Sequence, residues 1–147
     1  MHTFNLFADH FQSAYQFAEA DKVWNRACGQ GECSSPGAGD SALAALLMFH
    51  GFAMCDGVLY GLEIFSEVQI AAAADGFRFF GLVEAASVIE TGLLELRRIQ
   101  THGENRAEVG TLELALEDRY ATHANDRIVE EAFKRFFELH RSEFQPL

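Results

Sequence analysis

The apolar positions of this chain recur at three- and four-residue steps, and no stretch alternates as a half-buried strand would. In "FNLFADHFQSAYQFAEADKVW", Phe4, Phe7, Phe11, Tyr15 and Ala18 fall on one stripe of a helix. "ACGQGECSSPGAGD" follows, with Gly29, Gly31, Gly37 and Gly39 close together, and reads as a loop. Asp40 or Ser41 can cap the next helix by accepting from its free backbone N–H groups. That helix, "SALAALLMFHGFAMC", is apolar nearly all round and is expected to be the central, most buried one. It meets a break at Asp56-Gly57. A further helix is predicted from near Ser66 through "EVQIAAAADGFRFF" to Gly81, a suitable C-cap.

In the segment after it, Leu82, Ala85, Ala86, Ile89, Leu93 and Leu96 share a face. "THGEN" and "HAND" read as turns, with Asn125 or Asp126 as a cap. Between them Val109, Leu112, Leu116 and Tyr120 fall together, and the last helix points Ile128, Val129, Ala132, Phe133, Phe136 and His140 inward. Glu84, Glu130 and Glu131 come early in their helices, and Arg97, Arg98, Lys134, Arg135 and Arg141 come late. This is the order that the helix dipole favours. The pattern predicts an all-α, single-domain bundle of about six helices. It divides into an N-terminal helix within 1–27, a Gly-rich loop at 28–39 and a helical core over 40–147.

Composition agrees. The only prolines are Pro36 and Pro146, so the long stretch between them carries no helix breaker. With 49% apolar residues and 14 Phe, a chain of 147 residues can bury a sizeable core. The net charge of −11 repels phosphate backbones and anionic membrane surfaces. Direct nucleic-acid binding is therefore disfavoured, and a basic protein partner or plain solubility is the natural reading. The uncharged stretch Ser41 to Cys55 is shorter than the roughly 18–20 residues of a membrane span. Cys28, Cys33 and Cys55 do not form a disulfide framework, and Met1 is followed by no basic start or long apolar run. A cytoplasmic setting is expected.

Few residues carry recognisable chemistry. Cys28, Cys33, His50 and Cys55 are soft ligands, but their spacing matches no zinc module, so no metal and no cofactor are expected. His50, among Leu46, Leu47, Met48 and Phe49, reads first as a hydrogen-bonded core histidine. Gly57 and Gly61 allow a close helix approach or a left-handed turn. Glu104, Glu108, Glu113, Glu117 and Asp118 lie off the Val109/Leu112/Leu116 stripe. They form either a solvated face or a row of negative charge offered to a basic partner. The alternative is an enzyme or small-molecule-binding domain with a pocket near the central helix, lined by His50, Cys55, Asp56 and Tyr60.

The order of the motifs is similar to a bacterial helical family known as domain of unknown function 4375. Its members carry an Asn-Gly-Gly-Phe step, a helix ending Ile-Gly-Ala, a Leu-Asp-x-x-Tyr/Phe stretch and an ending His-Pro-Glu-Glu-Phe. Here Asp56-Gly57 stands for Asn-Gly, with Val58 and Leu59 replacing the Gly and Phe. Phe80-Gly81-Leu82, Leu116-Glu117-Asp118 with Tyr120, and His140-Arg141-Ser142-Glu143-Phe144 resemble the later motifs. The likeness covers about residues 40–147. It implies an α-helical protein, a homodimer, and, for one member, an acidic surface that imitates DNA. It also implies a helix junction at Asp56-Gly57, with Asp56 capping.

Overall fold

A computed structural model describes residues 19–29 and 33–147 of the protein. The predicted stripe of Phe4, Phe7, Phe11, Tyr15 and Ala18 lies outside the described residues, as does Gly31 of the loop. The described chain is an all-α bundle and contains no strand. A helical segment at 19–28, α1, is followed by α2 (Ala38–Asp56), α3 (Val58–Ile64) and α4 (Glu67–Phe79). Then come α5 (Val83–Thr101), α6 (Arg106–Ala124), α7 (Asp126–Leu139) and a 3₁₀ turn at Arg141–Glu143.

Side chains define most of the helix starts. Ser66 Oγ accepts from Gln69 N at 3.2 Å while Gln69 Oε1 accepts from Ser66 N at 3.0 Å, a reciprocal capping box on α4. Asn105 and Asn125 cap α6 and α7 by accepting from Ala107 N and Ile128 N, each at 2.9 Å. At α2 the capping residue is Gly37, not Asp40 or Ser41. Asp40 lies one turn inside and reaches back to accept from Gly37 N at 2.9 Å. The periodicity gives no helix over 58–65, whereas the resemblance implies a helix junction at Asp56-Gly57, and α3 begins there.

The core is continuous from α1 to the C-terminal residues. Leu43, Leu46, Phe49 and Ala53 of α2 face Ala73, Ala74 and Phe77 of α4. The two helices approach closely at Gly76, where a Cβ would lie 2.5 Å from the Ala42 carbonyl oxygen. Phe49 and Phe77 meet Tyr120 of α6 edge-on, at 6.3 and 6.2 Å between ring centroids. A second aromatic group surrounds Phe133 of α7: Trp24, Phe80, Phe137 and Phe144 lie within 6.0 Å of it. Phe137 points inward, whereas His140, expected inside, is exposed beyond the end of α7.

Burial of α2 differs from the sequence reading. The helix is long and apolar enough to cross a membrane by length and composition, yet here it is a half-buried element of the bundle. Its inner side is in the core, while Ala44, Gly51 and Cys55 are exposed and Ala45, Met48 and Phe52 are half-buried. Apolarity all round shows that a helix tolerates burial, not which side has a neighbour.

A polar tie joins the two ends of the described chain. Asp40, buried at the start of α2, accepts from Arg26 Nη2 of α1 at 2.8 Å and from Gln145 N at 2.6 Å. Arg26 Nη2 also donates to the Gln145 carbonyl at 2.8 Å, and Gln145 Oε1 accepts from Ser35 N at 2.7 Å. Burial pushes the Asp40 carboxyl up, but the N–H groups of Gln145 and Gly37 together with Arg26 outweigh it. They hold the group below its ordinary value.

Candidate functional site

His50 projects from α2 into the junction with α6 and α7 and is only 4% exposed. Its Nε2 lies 2.7 Å from Asp126 Oδ1 and its Nδ1 lies 2.8 Å from the Tyr120 hydroxyl. A carboxylate only accepts, so Nε2–H donates to Asp126 and Nδ1 accepts from the Tyr120 O–H. Burial, working against Asp126, holds His50 below the ordinary histidine value and therefore neutral at pH 7. Burial, with help from Asp126 and Glu117, pushes the Tyr120 phenol well up. Both ring nitrogens are engaged, so the imidazole is a joint between three helices and is not offered to a ligand.

Cys55, Asp56 and Tyr60 are exposed on the outer side of α2 and α3. The structure therefore does not bring them together with His50 in one cavity. Among the described residues no three His, Cys, Asp or Glu side chains gather closely enough to hold a metal ion. Burial pushes the Cys28 thiol up, and burial with Asp40 nearby does the same for Cys33. Neither is an activated thiolate at neutral pH.

The five acids singled out from the sequence are all exposed, but they are not equivalent. Glu117 turns toward α3 and accepts from Val58 N at 2.8 Å. The preceding Gly57 has φ 100° and ψ 153°, a conformation open essentially to glycine alone, and it brings α3 directly onto the end of α2. Capping of this junction thus falls to Glu117, whereas Asp56 is the last residue of α2. Glu108 turns the other way, 3.9 Å from Arg98 of α5. It lines a groove of about 620 Å³ between α5 and α6 together with Arg98 and Arg119, so that flank mixes both signs.

The side-chain carboxylates of Glu104, Glu113 and Asp118 have no hydrogen-bond or ion-pair partner among the described residues. Residues three and four apart are neighbours on a helix surface. Leu114, 75% exposed, is therefore flanked by Glu117 and Asp118 and adjoins Glu113. Arg106, two turns before Glu113, is the cation on that side of α6. The sequence reading found the acids but missed Leu114. Its place four residues before Asp118 and off the buried stripe was the available signal.

No family model matches the chain, and no curated protein or solved structure matches it either.

Proposed function

We propose that this protein is a non-enzymatic acidic interaction module that engages a basic protein partner in a cytoplasmic setting. The observation that carries the reading is the outer face of α6, where an exposed Leu114 is bordered by Glu113, Glu117 and Asp118. Carboxylates draw a basic partner in over a distance set by ionic strength, and the leucine supplies apolar contact once it arrives. The net charge of −11 adds a long-range field of the same sign. One member of the domain of unknown function 4375 family, whose motif order this chain resembles, imitates DNA with an acidic surface, and a DNA-binding protein is accordingly one class of partner proposed here.

Affinity capture from a cell lysate at low and raised ionic strength tests this reading. The wild-type chain should retain a discrete set of basic proteins that raised salt releases. A chain with Glu113→Gln and Asp118→Asn should retain less of them. Capture that is unchanged by both salt and substitution would overturn the proposal.

A further inference from the structure

The exposed side of α2 continues across α3 as an apolar surface. Phe52 stacks on Tyr60 at 5.4 Å between ring centroids and meets Phe65 edge-on at 5.2 Å. Tyr60 and Ile64, one turn apart on α3, are 46% and 48% exposed. Met48 and Cys55 extend the strip along α2. One acid of α6, Glu117, reaches the start of α3, where it bonds the first N–H of that helix.

Charge along α2 and α3 has one sign. Between Arg26 and Arg78 the chain carries no lysine or arginine, so α2, α3 and most of α4 contribute no cation. Asp56 and Glu63 stand exposed beside the strip, with no ion-pair partner among the described residues. Of the cations on the neighbouring helices, Arg97 of α5 is committed to Glu67, and Arg106 stands two turns before Glu113 on α6. A surface that is apolar along its middle and anionic along its edges complements a helix with an apolar stripe and lysine or arginine on its flanks.

We infer that the Phe52–Tyr60–Ile64 strip of α2 and α3 is a docking groove for a basic amphipathic helix of the partner. Asp56 and Glu63, with Glu117 at the start of α3, hold its cationic flanks. The inference rests on the proposed acidic recognition and adds to it a site and the secondary structure of the ligand. Tyr60 and Ile64 supply the binding energy, and the carboxylates fix orientation and rate of approach.

The probes are two synthetic Leu/Lys peptides of identical composition, one with helical periodicity and one shuffled, titrated calorimetrically into the full chain. The amphipathic peptide should bind roughly tenfold or more tightly than the shuffled one. Tyr60→Ser with Ile64→Ser should abolish that preference while leaving the salt-sensitive part. Glu113→Gln with Asp118→Asn should weaken both peptides at low salt. Circular dichroism of each variant checks that its helix content is retained. Equal affinity for the two peptides, or a preference untouched by the Tyr60 and Ile64 changes, overturns the groove. If salt-sensitive binding still responds to Glu113 and Asp118, acidic recognition survives that result. No binding of either peptide at low salt overturns both. If the chain alone sediments as a dimer that the Tyr60 and Ile64 changes dissociate, a second copy fills the groove and the inference fails.

Discussion

At the scale of single residues, the sites that matter most join segments far apart in the chain. Gly57 allows the turn from α2 into α3, and any Cβ there would be strained and would sit 3.0 Å from Glu117 Oε1. Gly57→Ala should lower unfolding stability by about 1–3 kcal/mol, read by urea denaturation. Tyr120→Phe should leave His50 Nδ1 buried without a donor and cost about 1–3 kcal/mol by the same measurement. His50 also sets a pH dependence. Its folded value lies below the ordinary one, so the unfolded chain takes up the proton first as pH falls. Stability from this group is intact above about pH 6.5 and is lost as pH falls through the folded value. His50→Gln should flatten that part of the pH profile. That His50 is a bonded core residue was readable from its apolar surroundings. Its partners, 70 and 76 residues away, were not, because a local pattern carries no information on such pairings. The same holds for Glu117, whose acceptor role depends on an N–H 59 residues earlier.

At the scale of the element, local chemistry located the starts of α4 and α7 but misassigned the caps of α2 and α3. The helix expected from near Ser66 starts there, and of the two caps offered at the last turn Asn125 is the one used, since the bonds that fix these starts close within a few residues. The α3 helix escaped notice because its seven residues are too few to show a period of their own. Burial of α2 was overestimated because its neighbours, not its composition, decide which face is covered. Glycines inside helices separate the two kinds of constraint. Gly76→Ala drives a methyl into the Ala42 carbonyl across the α2–α4 contact and should cost about 1–3 kcal/mol. At Gly110 a Cβ would meet nothing within 4 Å, so Gly110→Ala should raise stability by about 0.5–1 kcal/mol. Thermal unfolding of the two variants, run side by side, should shift in opposite directions.

At the scale of the whole molecule, the all-α class was legible because helical periodicity and scarce proline act along the entire chain. The surface was less so. Arginines of α4 and α5 pair with acids on neighbouring turns and helices, as Arg78 does with Glu90 and Arg97 with Glu67. Among the described residues, unpaired anions remain at Asp56, Glu63, Glu104, Glu113 and Asp118 near α3 and α6, and also at Glu84, Glu138 and Glu143. The tie between Asp40, Arg26 and Gln145 is the other whole-molecule feature. Asp40→Ala strands a mostly buried guanidinium and should cost about 3 kcal/mol. Its contribution in the wild type holds above the ordinary carboxylate range and is lost as pH falls through the depressed folded value. The bond from Arg26 to Gln145 closes a loop of 119 residues. Like the Arg141–Glu19 pair, which spans 122 residues, such a closure costs more entropy than a local contact and gains least until everything between is in place. The tie is therefore expected to form late and to yield early. Amide exchange at Gly37 and Gln145 should run ahead of the α4 and α5 interior, reporting an early opening step in which the aromatic interior stays dry.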